Sequence, residues 1–125
     1  MLTGPQIQDY AHRIALQQPE AERAYPFGPD HAVYRVRGKI FMMLTDQPGY
    51  PVVTLKTDPE ENRVLQFAHP SIQGGWHMNK RHWLSLAQGE TIDKTLIREL
   101  VEDAYLRIVL ALPRSKRPLE YRHPS

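Results

Sequence analysis

Apolar residues recur every three or four positions between residues 7 and 14, which places them on one side of a helix. Thr3 stands where a helix N-cap is expected, and Pro19 limits the other end. A longer stripe with the same period runs from residue 96 to residue 112 and stops at Pro113. These two patterns predict an amphipathic helix at each end of the domain.

Two runs between these helices are rich in aromatic and β-branched residues: residues 32 to 36 and residues 40 to 44. They flank Gly38 and Lys39, a Gly-X pair typical of a two-residue type II′ turn, so they predict a β-hairpin. In that register Tyr34 faces Met43 on the core side of the sheet, and Arg35 lies on the opposite side.

The remaining pattern predicts two more strands, two loops and a short helix. The strands are residues 52 to 57 and 82 to 87, with a short pairing segment near residues 76 to 78, and the loops are residues 20 to 30 and 71 to 75. Asp58 and Pro59 mark a helix start, and Glu61 stands where a capping box requires it. This order describes an α+β domain, a two-layer α/β arrangement in which helices cover one face of an antiparallel sheet.

The chain of 125 residues has the usual size of one domain, which is expected over residues 1 to 113. Residues 114 to 125 contain prolines and few apolar groups and are predicted to form a basic, flexible tail. This tail holds four of the sixteen basic residues and one of the fourteen acidic residues, so the rest of the chain is almost neutral. Bulk charge therefore does not by itself indicate a nucleic-acid-binding protein.

Several classes of protein are excluded by composition. The chain has no cysteine, which excludes disulfides, thiolate metal sites and cysteine nucleophiles. Its longest apolar runs are far shorter than the roughly 20 residues that a membrane-spanning helix needs. Its first residues lack the basic and then apolar pattern of a secretory signal. A cytoplasmic location with no membrane partner is expected.

The stretch His-Met-Asn-Lys-Arg-His-Trp, which ends at Trp83, is the most polar one that contains a large aromatic residue. It does not predict a metal site, because no neighbouring carboxylate completes a ligand set. In one hypothesis His77 performs acid-base chemistry together with Lys80 and Lys56. In the alternative, His77 and Asn79 order the backbone of a loop, and Trp83 packs behind it.

Basic residues cluster on the predicted sheet, whereas acidic residues gather at helix starts and on helix surfaces. Six cations form this cluster: Arg35, Arg37, Lys39, Lys56, Lys80 and Arg81. A hairpin that presents arginines away from the core is a stiff ribbon, and such a ribbon can enter a DNA groove. The alternative is a solvated sheet face on which the cations discourage edge pairing.

Several of these motifs, in their order along the chain, resemble the MmcQ/YjbR family of small bacterial proteins. The matching segments are Pro19-Glu20-Ala21-Glu22, Gly38-Lys39-Ile40-Phe41, Val53-Thr54-Leu55-Lys56-Thr57-Asp58-Pro59-Glu60, residues 77 to 83 and residues 100 to 105. The resemblance covers roughly residues 1 to 113. One departure is Ala104, which stands where relatives often carry Ser.

The resemblance implies a CyaY-like fold and DNA binding by two β-hairpins that project as wings, and no enzymatic reaction defines the family. Residues 35 to 40 would form the first wing, and residues 77 to 83 would lie near the second wing or between the wings. The residues expected to contact DNA are Arg35, Arg37, Lys39, Lys56, His77, Asn79, Lys80, Arg81 and Trp83. No catalytic residue, metal or other cofactor is expected.

Two alternatives to a DNA-binding function stay open at this stage. The first is a protein-interaction module, similar to secretion chaperones of related fold, that holds a peptide on the sheet or at an edge strand. In this hypothesis the chain could also pair with a second copy of itself as a weak homodimer. The second is an uncharacterised enzyme built around His77 and Lys80.

Overall fold

The computed structural model describes residues 1 to 122, so residues 123 to 125 of the predicted tail lie outside the described residues. The helices are α1 (Gly4–Gln17), α2 (Pro59–Ala68) and α3 (Lys94–Ala111). The strands are β1 (Glu22–Ala24), β2 (His31–Val36), β3 (Lys39–Thr45), β4 (Val52–Lys56), β5 (Ile72–Gly74) and β6 (Trp83–Leu86). The predicted helices and the four predicted strands are confirmed.

The six strands form one sheet in the order β1-β2-β3-β4-β6-β5, and every neighbouring pair is antiparallel. Apolar residues of α1 and α3 pack on one face of this sheet, against Tyr34, Leu55 and Leu84 among others. The predicted α+β architecture is therefore confirmed. The opposite face is called the open face because α1 and α3 do not cover it. It carries residues from alternate positions of the central strands, whose side chains are nevertheless buried: Val33, Met43, Thr54 and Ser85.

The caps at the helix starts follow the sequence closely. Thr3 accepts a hydrogen bond from the Gln6 amide, and Asp58 accepts one from the Glu61 amide. Such caps satisfy amides that have no partner within the helix. The Glu61 side chain does not complete the predicted capping box, because its carboxylate pairs with Arg107 of α3 at 3.0 Å. This ion pair joins α2 to α3.

The hairpin prediction is right in kind but wrong in register. The turn is Arg37–Gly38, whose φ angles are 51° and 77°, as a type I′ turn requires. This turn alone would place Tyr34 opposite Phe41, and a bulge in β3 then shifts the pairing by one residue, so that Tyr34 faces Met42 and not the predicted Met43. Met42 therefore packs toward the helices, and Met43 lies on the open face.

Two short strands lie inside segments that were predicted to be loops. β1 falls within residues 20 to 30, and β5 falls within residues 71 to 75, upstream of the pairing segment expected near residues 76 to 78. Both have three residues and lie at the two edges of the sheet. Strands this short carry no alternating apolar pattern, and pairing with a longer neighbour is what makes them extended.

The described part of the predicted flexible tail is packed against the domain. Residues 114 to 122 contain two 3-10 helices, and Pro118 is buried. The Arg117 guanidinium donates to the carbonyls of Leu110 and Leu112 at 3.0 Å, which satisfies carbonyl groups at the end of α3. The Tyr121 ring lies 5.9 Å from that of Tyr105. Residues 114 to 122 are thus attached to the domain through Arg117, Pro118 and Tyr121, while most of their other side chains are exposed.

None of the helices within residues 1 to 122 has the length and apolarity that crossing a membrane requires.

Candidate nucleic-acid interface

The six predicted cations come from three segments that meet at one end of the sheet. The turn between β2 and β3, the end of β4 and the start of β6 are neighbours there, since Lys56 pairs with Trp83 and the Thr57 amide donates to the His82 carbonyl at 2.9 Å. We call this region the basic end, defined by Arg35, Arg37, Lys39, Lys56, Lys80 and Arg81. Antiparallel pairing brings these segments to one end of the sheet, where Arg35 and Lys56 are on the open face and Lys39 is on the side of the helices.

Two of these cations have carboxylate partners that the sequence analysis did not anticipate. Arg35 donates to Glu22 at 2.8 Å, and Arg37 lies 3.0 Å from Glu20. The cause is β1, whose pairing places Glu22 directly opposite Arg35. The expected separation of a basic sheet from acidic helices is therefore incomplete. Both pairs are half exposed, and such pairs contribute only about 0 to 1 kcal/mol, so a phosphate can compete for the arginines.

The four other cations form no salt bridge within the part of the chain that the structure describes: Lys39, Lys56, Lys80 and Arg81. Lys39 and Arg81 are exposed. The Lys56 ammonium lies 5.3 Å from the centre of the Trp83 ring, a cation–π distance, and the ring itself is largely buried. Trp83 thus positions the Lys56 charge.

The loop that carries Lys80 and Arg81 is held from below by Asn62 of α2. The buried Asn62 side-chain nitrogen lies 3.0 to 3.1 Å from the carbonyl oxygens of Lys80, Arg81 and Trp83, so its two N–H groups are shared among three acceptors. The sequence gives no signal of this role, because a single asparagine in an otherwise ordinary helix does not reveal its burial.

Asn79 orders the same loop from within. Its side-chain oxygen accepts hydrogen bonds from the Arg81 and His82 amides at 2.9 and 3.1 Å. The structural interpretation of Asn79 is therefore confirmed. His77 has a positive φ of 55°, and its ring packs 4.0 Å from the ring of Trp76. The Lys80 ammonium donates to the Gly75 carbonyl at 2.7 Å.

The open face also carries a cavity of about 420 Å³ that sequence analysis did not identify. Tyr50, from the turn after β3, and Trp76, from the loop after β5, line it. The Trp76 amide donates to the Ser85 hydroxyl of β6 at 2.9 Å, while its ring stacks at 6.4 Å on His31 of β2. Trp76 therefore lies across the central strands.

A second cleft, of about 730 Å³, lies where α1 meets the outer strands. In it the His12 ring and the Tyr34 hydroxyl are joined by a hydrogen bond of 2.6 Å. Burial lowers the pKa of His12 and raises the pKa of Tyr34 to about 12. Tyr34 is in the core, as its position in the hairpin predicts, but the sequence gives no sign of its partner His12.

The raised pKa of Tyr34 predicts a loss of stability at alkaline pH. The Tyr34 side chain is only 1% exposed, so its ionisation is opposed in the folded state, while in the unfolded chain it ionises near pH 10. The stabilisation is complete below pH 10 and is lost as pH rises toward 12, by about 2 to 3 kcal/mol at 1.36 kcal/mol per pKa unit. Urea unfolding of wild type and Tyr34→Phe at pH 9 to 11.5 measures this. Parallel losses in both proteins would contradict it.

Comparison with known proteins gives consistent matches over most of the chain. The family model described as YjbR matches residues 16 to 107. The chain is 41% identical over 103 residues to the uncharacterized protein YbdF of Escherichia coli O157:H7, covering 82% of this chain and 84% of YbdF. It is 29% identical over 107 residues to the uncharacterized protein YjbR of Escherichia coli strain K12, covering 86% of this chain and 91% of that protein.

Two solved structures are similar in fold. The crystal structure of Deinococcus radiodurans protein DR2400, a DUF419 domain, matches with a TM-score of 0.82 and 26% identity, covering 99% of this chain and 94% of that one. A Pseudomonas syringae protein matches with a TM-score of 0.68 and 24% identity, covering 80% of this chain and 96% of that one. At 24% identity the second likeness concerns the fold alone.

Proposed function

The chain belongs to the YjbR family, and from this premise we propose that it is a cytoplasmic DNA-binding protein that contacts backbone phosphates through the basic end. The observation that carries the proposal is the meeting of cations from three chain segments at one end of one sheet. Phosphate contacts by lysine and arginine supply most of the sequence-independent affinity for DNA.

The span of the basic end suits a short run of phosphates. The turn between β2 and β3 and the start of β6 are separated by the width of about three strands, or roughly 15 Å at 4.8 Å per strand. One DNA strand advances about 3.4 Å per nucleotide, so this width matches about four nucleotides. Lys56 lies between the two outer positions, on β4.

The ion pairs of Arg35 and Arg37 reduce the number of cations that are free to contact phosphates. With four unpaired cations, the logarithm of the binding constant is expected to fall with the logarithm of salt concentration with a slope of about −3.6, at −0.9 per phosphate. Arg35 and Arg37 can add two further phosphate contacts, because their partners Glu20 and Glu22 are half exposed and the ion pairs are weak.

Fluorescence anisotropy with a random 20-base-pair duplex at low salt tests the proposal. We expect Lys39→Glu/Arg81→Glu to bind at least about tenfold more weakly, since two phosphate contacts become repulsive. The matched control is Arg13→Glu/Lys94→Glu, which changes net charge equally on α1 and at the start of α3, in the helix layer and beyond the opposite end of β6. Equal losses in both variants, or no binding by wild type, would reject the proposal.

The same assay has a variant that should improve binding. Glu20→Gln/Glu22→Gln releases Arg35 and Arg37 for phosphates, so we expect tighter binding and a salt slope steeper by about 2. An unchanged slope in this variant would mean that the hairpin arginines do not reach the DNA.

A further inference from the structure

The cavity on the open face is lined by two aromatic side chains and one positively charged side chain. The side chains of Tyr50 and Trp76 line it, and Tyr50 is 47% exposed. Lys80 supplies the charge, and none of the residues that line the cavity within the described chain is acidic. Gln73 and Gln88 add amide groups at the rim. This composition favours a ligand with a planar ring, polar edges and an anionic group.

Trp76 is held in position before any ligand arrives. Its amide is bonded to Ser85 at 2.9 Å, and its ring stacks on His31 and meets the ring of His77 edge-on. The positive φ of His77 turns the backbone sharply at this point. An aromatic group that is already fixed loses little conformational entropy on binding.

Lys80 is directed to the same cavity by two glycines. A Cβ at Gly74 would lie 2.9 Å from Cβ and 3.0 Å from Cδ of Lys80, so only glycine lets the lysine stem cross β5 this closely. The ammonium group gives one hydrogen bond to the Gly75 carbonyl at 2.7 Å. Because an ammonium group has three donors, two remain for an anion.

A nucleotide meets each of these requirements. Bases stack on aromatic side chains, amide groups of glutamine bind base edges, and lysine binds phosphate. The volume of about 420 Å³ falls in the usual range of small-molecule sites. A base offers its flat surface only when it is unpaired and unstacked, because in a duplex that surface is covered by neighbouring bases.

We infer that the cavity binds one unpaired nucleotide of a single-stranded nucleic acid, with the base against Tyr50 and Trp76 and the phosphate on Lys80. The inference rests on the proposed function and makes it more specific. The basic end binds the phosphates of both single-stranded and duplex nucleic acid, whereas the cavity binds a base only in a single strand. The open face connects the two regions, since Lys80 contributes to both.

Three probes of equal length separate stacking from charge: a 12-nucleotide single strand, its duplex, and a strand with the same phosphates but no bases. We expect the single strand to bind about tenfold more tightly than the strand without bases, from base stacking. Tyr50→Ala should abolish this difference. Phe67→Ala is the matched control, because Phe67 is 95% exposed on α2 and does not line the cavity. Circular dichroism checks that both variants are folded.

The outcomes separate the inference from the proposed function. Equal binding of the strands with and without bases, unaffected by Tyr50→Ala, overturns the cavity assignment and leaves the basic end intact. If the wild-type protein binds none of the three probes at low salt, both the cavity assignment and the proposed DNA-binding function are wrong. A direct readout is the indole N–H resonance of Trp76, assigned with Trp76→Phe. It should shift with the normal strand and stay unchanged with the strand that lacks bases.

Discussion

Replacing Tyr105 by alanine is expected to lower the free energy of unfolding by about 4 kcal/mol, the range for removal of a large buried aromatic side chain. Tyr105 is fully buried, and its ring meets Phe41 edge-on at 5.5 Å. Its hydroxyl donates to the Pro19 carbonyl at 2.6 Å, which ties the segment before β1 to α3. Burial also raises the pKa of the Tyr105 phenol.

Tyr105→Phe separates the contribution of the hydroxyl from that of the ring. The ring and its contacts with Phe41 stay, while the Pro19 carbonyl loses its donor, so we expect a loss of about 1 to 1.5 kcal/mol. Urea denaturation at neutral pH measures both variants. If alanine and phenylalanine cost the same, the ring does not contribute the packing argued for it.

Replacing Asn62 by alanine is expected to cost about 3 kcal/mol, because the carbonyls of Lys80 and Arg81 lose their donor. The Trp83 carbonyl keeps a second donor, the Gly75 amide at 2.8 Å. Asn62 is 1% exposed, so water does not replace the lost hydrogen bonds without rearrangement. Amide exchange should also rise from residue 79 to residue 83, since the loop loses its attachment to α2. Chemical denaturation and hydrogen exchange test these two effects.

Gln66→Ala is the control for the Asn62 variant. The Gln66 side chain donates to the Asn62 oxygen at 2.8 Å but is itself exposed, so its removal should cost under about 1 kcal/mol. It leaves the three loop carbonyls bonded to Asn62. A loss in Gln66→Ala as large as in Asn62→Ala would show that the loop does not depend on the contacts of Asn62 with its carbonyls.

Local signals in the sequence predicted the elements that depend on neighbouring residues. Thr3, Asp58 and Asp93 cap helices within three residues of their own positions. The paired runs around Gly38 predicted a hairpin, although the turn uses Arg37 and Gly38. The predicted register is wrong because the turn lies one residue earlier than predicted and because β3 contains a bulge, for which the local sequence gave no signal.

In the candidate site, too, the sequence predicted the residue types, and the tertiary structure decided their neighbours. Residue type alone selected the six cations, and their arrival at one end of the sheet follows from strand pairing. Glu22 became the partner of Arg35 only because β1 pairs with β2. Tyr50 and Trp76, separated by a strand, a helix and another strand, gave no sequence pattern that joined them in a cavity.

Periodicity and capping specify helices and strands along the chain because they act over a few covalent neighbours. Which charges are neutralised, which aromatic rings form a wall and which asparagine supports a loop depend on contacts between residues that are distant in the chain. Those contacts exist only after the sheet is assembled, since a carboxylate neutralises a guanidinium, and a donor satisfies a carbonyl, only within a few ångströms.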